Sequence, residues 1–198
     1  MSAGCRGFSL IELLISTLII MLMYFMMFGP GSKYGQARRK AACAANLAQM
    51  HMALSLFAAE HDGTFPVLIG AASSEAPLSE LVPKYTTDTS IFVCPGGNTA
   101  KLPGAEPFAN RRISYAYYMG LKQNDSPDAP LVSDAQVNVH PKHKGDATFS
   151  TTGKAPGNNH RRYGGNVLFL DGHVETIDTM ATRDLFIPSG VVLLNPKP

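Results

Sequence analysis

The sequence predicts an α+β fold: a long, kinked N-terminal helix, transmembrane in its first half, packed on a small antiparallel β-sheet. Three observations predict it. Phe8 to Phe28 is a run of 21 residues in which Glu12 is the one charge. Leu47, Met50, Leu54 and Phe57 recur every three or four residues, the period of one helix face. Near the other end, "NVLFL-DG-HVETI" sets Asp171-Gly172 between two apolar runs, the strongest short-range hairpin signal.

As a helix, Phe8–Phe28 is about 31 Å long at about 1.5 Å per residue, which matches a bilayer's hydrocarbon core. A buried core helix is the alternative for such a run, but 21 nearly unbroken apolar residues favour a membrane span. The run ends in "FMMFGPGSK", without the small-residue cleavage site of a secretory signal peptide. Gly29-Pro30-Gly31 interrupts the helix, since proline removes a backbone hydrogen bond. The helical pattern resumes at about Ser32 and runs to about Glu60, with Ala44 and His61 extending the stripe and Asp62-Gly63 as the stop.

Residues 64–68, "TFPVL", start an irregular link. "APLSELVPKY" (76–85) reads as a short helix with Pro83 near its end, and "SIFVCP" (90–95) as a strand or extended segment. "RISYAYYMG" is a strand by its β-branched and aromatic content, and "APLVSD" is a second. Residues 138–165 form a long polar loop. A two-residue turn at Asp171-Gly172 would set Phe169 opposite Val174 and Val167 opposite Thr176, a face expected to pack on the helix stripe.

The 198 residues are 45% hydrophobic and 16% charged, with a net charge of +2, so global charge makes no case for nucleic-acid binding. "RRISYAYY" and "NNHRRYGG" do combine arginine with aromatics, as single-strand binders do. They read equally as sheet residues flanked by solvated arginines, and no nucleic-acid partner is expected. There is no G-x-S-x-G nucleophile motif, no phosphate-binding glycine loop and no carboxylate pair at helix spacing near a histidine.

"GFSLIELL" (7–14) followed by the apolar run resembles the processing signature of type IV prepilins and of the pseudopilins of type II secretion. The resemblance implies a pilin-like fold and a division into leader peptide 1–7, filament-core helix 8–28, and a helix continuation with periplasmic domain, 32–198. It implies cleavage between Gly7 and Phe8 by a prepilin peptidase that also methylates the new N-terminus. Glu12 falls at the family's glutamate, which pairs with the free amine of a neighbouring subunit. A charge at the centre of a membrane helix costs about 2.5–3.5 kcal/mol, and such residues usually have a partner. Pairing within one chain, between residues 8 and 12, is also allowed by the i,i+4 spacing. Lys33, Arg38, Arg39 and Lys40 follow the span whereas Arg6 precedes it, so charge counting alone places the domain in the cytoplasm. The resemblance implies the opposite orientation: inner membrane, single pass, leader inside, domain periplasmic.

With the leader gone, Cys5 is lost and Cys43 and Cys94 remain. Two cysteines in an exported domain suggest a disulfide; two buried free thiols are the alternative. Neither sits in a C-x-x-C pair, which argues against zinc. "CAANLAQMHMALSLFAAEHDGTFP", "FVCP" and "DGHV" resemble a prepilin-like subgroup that carries a C-terminal His–nine residues–Asp-Gly element, although ten residues separate His160 from Asp171 here. Major pseudopilins hold calcium in C-terminal loops, and Asp134, Asp171 and loop carbonyls offer oxygen ligands of that kind. His160 and His173 would suit zinc better. Asp171 is already explained as a turn residue and Asp134 as a strand-end residue, so no cofactor is expected.

The leading functional expectation is a structural subunit of a type IV pilus-like filament or a type II secretion pseudopilus. Its implied partners are other pilin-like subunits, the prepilin peptidase, an assembly ATPase and a platform protein. The alternatives are an unassembled, membrane-anchored periplasmic binding domain and a metal-dependent envelope enzyme. An enzyme would show a deep polar pocket around Asp134, Asp171 and His160.

Overall fold

A computed structural model describes residues 9–29 and 33–198 of the chain. The expected cleavage site at Gly7–Phe8 and the expected kink residues Pro30 and Gly31 lie outside the described residues. The chain divides between Ala37 and Arg38 into two compact units.

The first helix, α1 (Leu10–Phe28), starts where Ser9 is extended and its carbonyl accepts from the backbone N–H groups of Glu12 and Leu13. Two of its hydroxyls are satisfied locally: that of Ser16 donates to Leu13 O at 2.9 Å, and that of Thr17 to Leu14 O at 3.0 Å. Such back-bonding lets a hydroxyl sit in an apolar helix without an outside partner. Gly29 ends the helix at ψ 153°, the extended conformation imposed on a residue that precedes proline. The expected single kinked helix is therefore two helices, because Gly29 leaves the helical conformation outright.

The second helix, α2 (Lys33–Glu60), closes with Asp62 in the left-handed region at φ 52°, and Gly63 N–H donates to Ala58 O at 2.8 Å. This is the Schellman arrangement of a helix C-terminus. Cys43, Leu47, Met50, Leu54 and Phe57 are buried along one face. His61 is exposed, yet its ring stacks on Phe57 with centroids 3.9 Å apart. A short helix, α3 (Glu75–Ser79), follows. Residues 89–92 form a 3₁₀ turn rather than a strand, because the Asp88 carboxylate accepts from Ser90 N–H and so caps a helical turn; Val93 beyond it is extended.

Five strands form one antiparallel sheet: β1 (Tyr115–Met119), β2 (Pro130–Asp134), β3 (Gly165–Phe169), β4 (Val174–Ile177) and β5 (Val192–Leu194), in the order β4-β3-β2-β1-β5. The sequence reading has no counterpart to β5, a three-residue edge strand paired with β1.

The hairpin register differs from the expected one by a residue. Leu168 pairs with Val174, Val167 with Glu175 and Asn166 with Thr176. Gly172 takes φ 91°, and Phe169 N–H bonds His173 O, so the loop holds three residues, 170–172. A glycine in the left-handed position is what a three-residue hairpin loop requires. Leu170 N–H bonds Ala129 O and Asp171 N–H bonds Pro127 O, contacts a two-residue turn would forgo. A one-residue shift exchanges the faces. Leu168, Leu170 and Val174 join the core that contains the α2 stripe, whereas Val167 and Phe169 lie in a second cluster with Phe149, Ile177 and Leu185. The sheet is thus covered on both faces, by α2 on one and by the segment beyond β2 on the other. This is why β1, β2 and β3 are buried at every position.

Candidate functional site

Two places in the chain carry chemistry that packing alone does not require. One is α1, where Glu12 occupies the first turn of a helix with no buried residue. The positive end of the helix dipole lies there and favours a carboxylate. Exposure of the large apolar residues of α1 runs from 48% at Ile19 to 85% at Met26, so the helix is apolar on every side and none of its residues is buried. It is long and apolar enough to cross a membrane. α2 meets the same length and composition test, but its apolar stripe is spent on the core.

The other is a buried group of four side chains from four separate elements. Cys43 comes from the core face of α2 and Cys94 from the extended segment after the 3₁₀ turn; a disulfide joins them, with Cα atoms 5.3 Å apart. Asp134 ends β2, and His160 lies in the loop before β3. His160 Nε2 is 3.3 Å from Cys94 Sγ and 3.4 Å from Asp134 Oδ2. Cys43 and His160 are fully buried, and Cys94 and Asp134 are 1% exposed. The donor atoms of all four lie within 4.8 Å of one another.

The surroundings hold this group in place. Asp134 Oδ1 accepts from Asn159 Nδ2 at 2.7 Å, and Oδ2 accepts from Asn166 N–H at 2.8 Å and from Asn166 Nδ2 at 3.3 Å. Asn166 also donates to Lys40 O, which ties the carboxylate to α2. Lys40 Nζ donates to Tyr163 O at 2.7 Å. Burial pulls the Lys40 ammonium below its ordinary range, against the opposing pull of the Asp178 and Asp134 carboxylates. Burial also pushes the Tyr115 phenol up, helped by the Asp134 charge, so this ring stays neutral beside the site. Gly96 makes room for the histidine: a Cβ there would fall 2.4 Å from His160 Nδ1.

Asp134 and His160 therefore come together, and with the cysteines, whereas Asp171 does not join them. Asp171 sits in the exposed β3–β4 loop, beyond the end of β3 opposite to Asn166. There its carboxylate accepts from His173 N–H at 3.0 Å and lies 2.6 Å from His173 Nδ1. The His173 backbone N–H is the main cause that holds the Asp171 carboxyl below its usual range. Asp134 and Asp171 thus cannot share one calcium ion, and the donors around Asp134 are sulfur and imidazole rather than oxygen.

Sequence reasoning missed Asn159, Asn166 and Lys40. One signal for Asn166 was present: a polar residue at the head of a strand-forming run, a position that buries such a residue only when it is hydrogen-bonded. A cavity of about 380 Å³ beside the C-terminal segment is lined by residues including Arg112, Gln136, Asn158, Asn159 and Lys197, but not by Asp134, Asp171 or His160. Comparison of the chain with protein-family models, curated proteins and solved structures returns no match.

Proposed function

We propose that the chain is a structural subunit of a pilin-like filament, either a type IV pilus or a type II secretion pseudopilus, with a pilin-like fold. The observation that carries this reading is α1: nineteen residues, apolar on all sides, with one carboxylate in the first turn. A helix of that kind needs an apolar medium around its whole circumference. Lipid supplies it for the stored subunit, and a bundle of identical helices supplies it in a filament. Glu12 then has a role in both states. Exposed in the chain by itself, it pairs with the amine freed at Phe8 of a neighbouring copy and sets the axial register. The Cys43–Cys94 disulfide supports delivery of the larger unit to an oxidising compartment, which favours the periplasmic orientation over the one that charge counting suggests. Peptidase, assembly ATPase and platform protein are the partners this reading requires.

N-terminal sequencing of the membrane-associated protein, from cells that contain the peptidase, tests the reading. A start at Phe8 is expected. A start at Met1 or Ser2 overturns it in favour of an unprocessed anchored domain. Glu12→Ala should be processed normally yet fail to enter filaments; wild-type incorporation of that variant removes the registration role.

A further inference from the structure

We propose that in the dithiol form of the chain Cys43, Cys94, Asp134 and His160 close around a single zinc ion, so that the same four residues form either a disulfide beside a His–Asp pair or a metal centre. The inference is independent of the filament reading, since none of its residues lies in α1.

A disulfide accounts for two of the four side chains and leaves the other two unexplained. His160 is fully buried, its Nδ1 has no hydrogen-bond partner, and its Nε2 faces the sulfur and the carboxylate together. Asp134 is a buried carboxylate whose Oδ2 is turned to the same point by Asn166. Tetrahedral zinc, with bonds of about 2.0–2.3 Å, spaces its ligand atoms about 3.3–3.8 Å apart. The imidazole-to-sulfur and imidazole-to-carboxylate separations of 3.3 and 3.4 Å already fall in that range. Two sulfurs, one imidazole and one carboxylate are a donor set for zinc rather than for calcium or magnesium.

The second layer fits at the sulfur and the carboxylate. The Gly96 N–H donates to Cys94 Sγ at 3.3 Å, a contact that stabilises thiolate, and the amides of Asn159 and Asn166 fix the carboxylate. Two thiolates and one carboxylate around Zn²⁺ leave one net negative charge, which the nearby Lys40 ammonium balances. The absence of any C-x-x-C spacing is no obstacle, because four elements deliver one ligand each.

The two forms interconvert by balanced steps. A dithiol reductant supplies two electrons and two protons, becoming its own disulfide, and the Cys43–Cys94 bond opens to two thiols. Zinc then displaces both thiol protons to solvent as two zinc–sulfur bonds form.

The test uses the full chain in detergent, without an affinity tag that binds metal. One sample is kept as the disulfide. The other is reduced anaerobically, freed of reductant and given zinc chloride alone, and both are dialysed. The reduced sample should retain about one zinc per chain, with both thiols shielded from alkylation, and the disulfide sample should retain background levels. Cobalt(II) chloride in place of zinc should give tetrahedral d–d bands with thiolate charge transfer. His160→Gln should lose that spectrum while still forming the disulfide, which reports that it folds. Asn159→Ala, which removes a positioning residue, should weaken zinc about 10–100-fold. If the reduced chain is unfolded without metal, zinc should restore its melting transition. The proposal is overturned if the reduced chain holds no zinc and gains no melting transition from it, if the disulfide form binds zinc equally, or if His160→Gln keeps the wild-type cobalt spectrum.

Discussion

The two long helices differ in how much of their surface the chain itself covers. α1 is apolar around its circumference and buries none of its residues within the chain. α2 buries Cys43, Leu47, Met50, Leu54 and Phe57 and leaves Met52 and Leu56 outside at 60% and 57% exposure. Length does not separate them, since both are long and apolar enough to span a bilayer. Polarity does: Glu12 is the one charge in α1, whereas α2 carries Lys33, Arg38, Arg39, Lys40 and Glu60. A helix with charges on its surface needs apolar cover on part of it, whereas an apolar one needs cover all round. α2 is also fastened covalently through Cys43 and by side-chain bonds, such as Asn46 Nδ2 to Val93 O at 3.2 Å. Both helices are long enough to span a bilayer, but α1 is much the more apolar, with a mean hydropathy of 2.3 against 1.2, and α2 alone has a buried face within the chain.

The contrast is sharpened most by removing the fastening. Converting both Cys43 and Cys94 to Ala, with a chelator present, should lower the stability of the larger unit by about 4 kcal/mol, from the entropy of a loop closed across a separation of 51 residues. Denaturant unfolding of the detergent-solubilised protein measures this. Next comes truncation on each helix. Leu54→Ala, at a fully buried position of α2, should cost about 2–5 kcal/mol. Leu22→Ala, at an exposed position of α1, should leave the same transition within about 0.5 kcal/mol. Equal effects of the two would break the distinction.

A charge should reverse that order. Leu18→Arg in α1 should disfavour membrane insertion by about 2.5–3.5 kcal/mol, read as loss of the protein from the membrane fraction. Met52→Arg on the exposed face of α2 should leave both insertion and folding nearly unchanged. The smallest effect is expected at the hairpin that buttresses α2, where His51 lies against Gly172. The folded-state pKa of Asp171 is depressed. Its contribution is therefore fully present above the ordinary aspartate value of about 3.9 and is lost as pH falls through the lower folded value. Asp171→Asn should lower the melting temperature slightly at neutral pH, and the difference from wild type should vanish as pH falls well below about 4. An equal change at both pH values would mean that the carboxylate charge is not what matters there.

Local pattern made much of this legible. Leu47, Met50, Leu54 and Phe57 announced the buried face of α2 because a helix repeats itself every few residues. "SYAYYM" and "APLVSD" announced β1 and β2 through side chains that fit a pleated surface. The hairpin was legible as a hairpin but not in register, because the choice between a two- and a three-residue loop rested on Leu170 and Asp171 bonding to Ala129 and Pro127 of a neighbouring segment. The 3₁₀ turn was hidden by the apolar "IFV" that follows its cap, and β5 by its length of three residues.

Sequence by itself determined that α1 is a uniformly apolar helix with one carboxylate near its start, since composition and length alone decide that much. It also singled out Cys43 and Cys94 as a disulfide and, apart from them, Asp134, Asp171 and His160 as candidate metal ligands. Only the tertiary structure brought Cys43, Cys94, Asp134 and His160 to within 4.8 Å of one another and left Asp171 apart. They come from a helix, an extended segment, a strand end and a loop, and no spacing along the chain encodes a point where four elements cross. Such a point exists because α2 and β2 pack on one another and position the loops around them. Donor chemistry can be read one residue at a time; convergence is a property of the packing.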